Sequence, residues 1–418
     1  MNRLGLLSRA GAGALLFCST TAAAPPGACK KLTRDNVAAC STKASAVVLS
    51  ATHDVSAAEG RETAAAAWLP SRPVLGVSAG RATRSGGRSG LAWRAELAQE
   101  LELGGQRGAR GQAARADVAA RKHAAVSLSR DVAADALALF FDVLAADEEA
   151  RLERRAESVL RRAELASRAL ADRGGAPSVD ADIAQASRAK ATQARIEAER
   201  RGQRARAELA FHVGASEVEV SGALEPLPRA VRSQSDPEAL PAVAALRAAQ
   251  RAERARAEIY RRGRIPNLSV SLFVEHDGYD ERVLGGGVQI PLPLPHPVVT
   301  TFSGEIREAE ALALKASLQA AQKKREALLR WTEAVQDYDA RSKALRSFDP
   351  EEVSRAERTL ADISTEVEQQ RLAVRDAVVA QQALLDFLRA HLAARHALCR
   401  ASVELQRAAG GPMGGRAQ

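Results

Sequence analysis

Leu91-Ala-Trp-Arg-Ala-Glu-Leu-Ala-Gln-Glu-Leu-Glu-Leu103 is the stretch that decides the fold. Leu91, Trp93, Ala95, Leu97, Leu101 and Leu103 fall on odd positions, and only Gln99 interrupts that apolar row. Arg94, Glu96, Glu100 and Glu102 fall on even ones. A strand sends alternate side chains to opposite faces, so one face is apolar and the other charged. At about 3.4 Å per residue the segment reaches roughly 44 Å, enough to cross a bilayer core on a tilt. Taken alone it also suits an amphipathic strand on a soluble core.

Its neighbours extend the pattern. Residues 74–83 alternate, with Leu75, Val77 and Ala79 on one side, and Arg84-Ser-Gly-Gly-Arg-Ser-Gly90 reads as a turn, so 74–103 forms one hairpin. Gly104-Gly-Gln-Arg-Gly-Ala-Arg-Gly111 lacks the order and the lysine of a phosphate loop and reads as a strand-to-helix transition. From Gln112 to Asp172 there is neither Gly nor Pro, which predicts a helix about 90 Å long that must pack lengthwise against others. Arg173-Gly-Gly-Ala-Pro-Ser178 turns the chain, and the return helix stops at Gly214.

The design then recurs. After an irregular, proline-bearing connection over 215–240 and a helix over about 241–262, strands are predicted at about 267–275 and 283–292. Leu268, Val270, Leu272 and Val274 share one face of the first; Leu284, Val288, Ile290 and Leu292 share one face of the second. A helical hairpin spans about 303–408, broken at Asp349-Pro350. Asp180 matches Asp376, Gln185 matches Gln381, Arg204-Ala-Arg-Ala-Glu-Leu209 matches Arg400-Ala-Ser-Val-Glu-Leu405, and Gly214 matches Gly410, all 196 residues apart. A duplicated unit follows, with 25–214 as the first repeat and 241–410 as the second.

Composition narrows the function. The 418 residues carry a net charge of +9 and only 3% aromatic residues, and much of the 46% hydrophobic content is alanine. Acidic residues are mixed through the same helices, so the basic excess reads as a solvated face and nucleic acid is not a predicted partner. Residues 1–24 read as a signal peptide, with Arg3, an apolar run and then Thr20-Thr-Ala-Ala-Ala24. Of the remaining cysteines, Cys29 and Cys40 are left open between a disulfide and two free thiols. Cys and His spacings give no metal site; His391 and His396 diverge around a helix. No nucleophile–base pair or nucleotide loop is present, so no catalytic, cofactor-binding or metal residues are predicted. Acidic side chains on the helices are read as i,i+4 partners of arginine.

Each half supplies two membrane-length strands. Four strands cannot close a barrel, and an open edge in lipid leaves backbone groups unsatisfied at several kcal/mol each. The sheet must therefore close with copies of the chain: two copies give a filled barrel, three a pore. Arg94, Glu96, Glu100 and Glu102, with Asn267, Ser269 and Ser271, would line its lumen, and the helices would continue the wall as a tube. Trp68, Trp93, Phe273 and Tyr279 are the candidates for an aromatic girdle at the membrane interface.

On these features the sequence resembles the TolC-like outer-membrane efflux factors over about 32–410. The carriers are Pro73 with Leu75, Gln99-Glu-Leu-Glu-Leu-Gly-Gly-Gln-Arg107, Gly174 with Ser178 and Asp180, Ile290-Pro-Leu-Pro293 with Gly304, and the two Glu-Leu ends followed by glycine. The resemblance implies a mainly α fold with a β-barrel contribution: a homotrimer of long helical hairpins closing a twelve-stranded barrel in outer-membrane lipid. It also implies docking to a periplasmic adaptor and an inner-membrane pump. Arg173, Gly174, Gly175, Ser178, Arg371 and Leu372 would face the adaptor, and Asp376, Glu368 and Asp180 would stand at the gated end. Glu368-Gln-Gln-Arg-Leu-Ala-Val-Arg375 departs from the family by lacking a glycine. The competing reading is a periplasmic coiled-coil scaffold or adaptor. Residues 411–418 are read as a disordered tail.

Overall fold

The computed structural model describes residues 29–83, 89–174, 177–230, 240–279, 281–292, 301–369, 371–411 and 413. Residues 1–24, read above as a signal peptide, Gly175 and most of 411–418, read as a tail, lie outside them.

Four strands form one antiparallel sheet: β2 (Val74–Thr83), β3 (Ser89–Leu101), β5 (Leu268–His276) and β6 (Arg282–Gln289), in that spatial order. Register aligns the apolar rows. Leu75 sits opposite Leu97, Leu97 opposite Leu272, and Val274 opposite Leu284. Directly opposed residues share a face, so one side of the sheet is mainly apolar and open, broken by Gln99 and by Arg81, His276 and Arg282 toward the turns; Val77 and Leu284 are 72% and 81% exposed. β3 stops at Leu101 because Gly104 and Gly105 follow, with Gly105 at φ 72°.

Helices α3 (Gln106–Asp172) and α4 (Ser178–His212) make the first long hairpin; α6 (Ser303–Arg346), α7 (Pro350–Glu368) and α8 (Val374–Ala409) make the second. At 1.5 Å per residue α3 alone runs about 100 Å. It begins inside the glycine-bearing stretch that follows β3, and Gly108 and Gly111 fall in its first two turns. The break between α6 and α7 has a local cause: Asp349 caps α7 by accepting from Glu351 N at 2.9 Å, and Pro350 takes the first helical position.

Ahead of the sheet lie two helices, α1 (Val37–Ala44) and α2 (Ala46–Ala65), separated at Ser45, which caps α2. The connection read as irregular contributes β4 (Glu219–Val220), which pairs in parallel with β1 (Lys31–Leu32). Cys29 and Cys40 form a disulfide, which ties the start of β1 to α1. Beside them lies the main core, where Leu137, Phe140, Phe141 and Val143 of α3 meet Leu32, Leu209, Leu224, Cys399 and Val403. Helix α5 (Pro241–Gly263) packs on α3 and α6.

Alanine allows the helices to approach closely, and charge fixes their register. Carboxylates on α3 meet arginines on α4 (Asp147–Arg206, Glu149–Arg201, Glu157–Arg195, Glu164–Arg188). They also meet arginines on α8 (Asp131–Arg407, Asp142–Arg400, Glu148–Arg395, Glu153–Arg389). The expectation of i,i+4 pairing is met at Glu164–Arg168 and Arg204–Glu208, but the most buried carboxylates, Glu153 and Glu164, bond across helices. A buried carboxylate left unpaired is strongly destabilising, and here a neighbouring helix supplies the partner.

Candidate functional site: a charged sheet face and the far helix ends

Two regions carry the predicted site residues, at opposite ends of the long helices. The first is the polar face of the sheet. Arg94 donates to Glu96 at 3.1 Å and to Glu275 at 3.5 Å. Asn267 donates to Glu100 at 2.7 Å. Arg94 and Glu275 pair across β3 and β5, Arg94 and Glu96 pair along β3, and Asn267, just before β5, reaches Glu100; all alternate with the apolar row, as strand periodicity requires. Glu102 is the exception. It lies past the end of β3, nearly buried, and pairs with Arg110 on α3. It is therefore a strand-to-helix junction residue and not part of the sheet's polar wall. Phe273 also differs from its predicted place: opposite Glu96 in register, it stands on the polar face and not in an outward girdle. Trp93 does lie on the apolar face, 6.3 Å from the His276 ring. Trp68 precedes β2, with Arg107 5.8 Å from its ring centroid, and Tyr279 donates its hydroxyl to Ala82 O.

Sequence reasoning missed Gln106. Buried at the base of α3, its amide nitrogen lies within 3.2 Å of Arg262 O, Ile265 O and Asn267 Oδ1. It ties the first strand-to-helix junction to the approach of β5, and neither periodicity nor charge pattern marks such a residue.

The second region is the far end of the hairpins. Gly174, at φ 75°, ends α3 and donates to Ala171 O; left-handed backbone favours glycine there. Arg173, Gly174 and Ser178 are exposed. At the second turn Arg371 N donates to Glu366 O at 2.9 Å, and Leu372 N donates to the same oxygen at 3.3 Å. The Arg371 side chain is exposed and 3.7 Å from Glu366. Leu372 packs on an apolar cluster of Val159, Ala184, Ile363, Val367, Val374 and Ala377. It anchors the turn instead of being displayed. Glu368 is the last residue of α7 and exposed.

Asp180 and Asp376 occupy the same place in their helices. Pro177 and Ala373 are the N-caps of α4 and α8, and each aspartate is the third residue after its cap. The spacing of 196 found in the sequence is thus also a structural correspondence. Asp376 is exposed and Asp180 partly so. A carboxylate there complements the helix dipole.

No helix among the described residues is long and apolar enough to cross a membrane, and no group of three or more His, Cys, Asp and Glu residues among them is placed to hold a metal ion.

Among the described residues, four strands with unpaired edges at β2 and β6 join two long helical hairpins, and this fold is shared with solved outer-membrane channels. The chain superposes on CusC with a TM-score of 0.75 at 12% identity, covering 91% of this chain and 92% of that one. It matches the outer-membrane channel OprN with a TM-score of 0.71 at 18% identity, covering 91% of each chain. The Campylobacter jejuni CmeC outer membrane channel gives 0.72 at 14%, with coverage of 90% and 85%. Identities this low establish a shared fold. Neither a protein-family model nor a curated protein matches the sequence.

Proposed function

We propose that the chain is one protomer of an outer-membrane efflux channel, a passive conduit with no enzymatic step. The observation that carries this reading is the sheet. It has an outward apolar face, a charged opposite face, and unpaired edges at β2 and β6. A soluble scaffold would hide that apolar face, and a bilayer would cover it. Three copies close twelve strands around a lumen wide enough for water. The shared fold with outer-membrane channels supports the same reading. The helices then extend as a tube into the periplasm, with the ends near Arg173, Gly174, Ser178 and Arg371 docking an adaptor and, through it, an inner-membrane pump. We assign 1–24 to a signal peptide, 25–214 and 241–410 to the two repeats, 215–240 to their connection and 411–418 to a tail.

At the far ends Asp376 and its symmetry mates form a ring of carboxylates, joined by Asp180 and Glu368 where the helices converge. Such a ring in a narrow mouth favours cations. The test is reconstitution: the full-length chain in planar bilayers conducts, and Asp376→Asn lowers its cation preference. Absence of any conductance contradicts the channel. Conductance with unchanged selectivity leaves Asp376 as a residue that only stabilises the start of α8.

A further inference from the structure

Glycine weakens a strand interior unless something needs the space, and β6 contains three in a row, Gly285-Gly-Gly287. Gly285 and Gly287 lie on the polar face, opposite Phe273 and Ser271 in register. A Cβ on Gly285 would come within 2.5 Å of Phe273 Cζ and no more than 3.0 Å from both Cε atoms. One on Gly287 would stand 2.8 Å from Ser271 Oγ. The far edge of the Phe273 ring is therefore laid over the β6 backbone. Arg94 holds it there, with its guanidinium carbon 4.1 Å from the ring centroid, within cation–π range. Arg94 is itself fixed by Glu96 and Glu275. Small residues continue on the same face of β2 at Gly76, Ser78 and Gly80, which register with Glu96, Arg94 and Ala92.

We infer that Gly285 is a notch in the channel wall that stows Phe273 under the Arg94 clamp, so that this one glycine sets the free bore of the barrel at that level and the size of cargo able to pass. The inference rests on the barrel reading above. A side chain at 285 must shift the ring off the β6 backbone, and on a face that lines the lumen that shift narrows the bore.

The test places a reporter thiol beyond Phe273 as seen from the β2–β3 and β5–β6 turns: Ser269→Cys, on the same face, in the reconstituted full-length trimer. Cys29 and Cys40 are joined, and burial pushes the Cys399 thiol up to about 12, so among the described residues the new thiol is the reactive one. A maleimide carrying a bulky polymer, added from the turn side, reacts at the parent rate when Phe273→Ala is introduced. It reacts more slowly with Gly285→Val, and the parent rate returns in Gly285→Val/Phe273→Ala. Gly285→Ala gives a smaller slowing. A small maleimide reacts equally with all variants, which shows that the barrel is intact. An unchanged rate in Gly285→Val, or a faster one in Phe273→Ala alone, overturns the inference. Failure of the parent chain to form any trimer is seen before labelling and rejects the barrel itself.

Discussion

The two turning points of the long helices solve the same problem with different chemistry. The first uses backbone freedom: Gly174 takes a left-handed φ with open space around it. The second has no glycine between 368 and 375, and its turn is held by two bonds to Glu366 O and by Leu372 in an apolar cluster. The strand-to-helix junctions contrast in the same way. Gly105 caps α3 at φ 72°, while the cap of α6 is Phe302 at φ 54°. A non-glycine residue there costs of order 1–3 kcal/mol; its ring stacks on Tyr260, 6.1 Å away, and approaches the Gly263 position. The first half places a glycine at each of these two bends, and the second holds them with non-glycine residues and their contacts. The two halves reach the same shape by different means.

Matched positions 196 residues apart can break or sharpen this contrast. The largest effect is expected at Arg389, which holds the 2%-exposed Glu153 through bonds of 2.7 and 2.9 Å. Its own ionisation is favoured first by that hydrogen bond. Arg389→Ala strands a buried carboxylate and costs about 2–3 kcal/mol, less than a fully enclosed pair because Arg389 is partly solvated. The exposed match, Gln193→Ala, stays within about 0.5 kcal/mol. Thermal unfolding of the two variants in detergent compares them, and equal losses would show that the halves share the load evenly.

A smaller difference is expected at the glutamines. Gln381 is buried and donates to Ala156 O at 3.0 Å, whereas Gln185 accepts from Arg168 at the surface. Gln381→Ala should cost about 1–2 kcal/mol and Gln185→Ala about 0.5 or less. The same unfolding measurement decides, and a reversed order would contradict the assigned burial. Smaller still, Gly174→Ala forces a side chain into left-handed backbone and costs about 1 kcal/mol. No loss there would mean that the first turn, like the second, is held by its contacts.

These contrasts also show what could be read from the chain beforehand. Strand periodicity aligned the apolar rows, the two helical hairpins followed from long stretches without Gly or Pro, and the proline at 350 marked a real break. Each is a local property. The parallel β1–β4 pair, the cross-helix ion pairs of α3 and the roles of Gln106 and Leu372 were not legible, because each depends on residues tens to hundreds of positions away. Glu102 and Phe273 show the limit within a strand: alternation predicts a face, but not where the strand ends or which aromatic residue lies inward. Gly285-Gly-Gly287 was a visible signal whose meaning required its neighbours.

The central claim is that the sheet closes with copies of itself around a charged lumen and against lipid. The most direct measurement is trimer yield in detergent for the parent, Leu97→Arg and Glu96→Arg, read by light scattering. Leu97 stands on the outward apolar face and Glu96 on the opposite one. A mid-membrane arginine on the lipid side costs roughly 2–4 kcal/mol, so Leu97→Arg should lose most of its trimer while Glu96→Arg retains it. A parent protein that is a monodisperse monomer without detergent, or equal trimer yields for the two variants, would contradict the account.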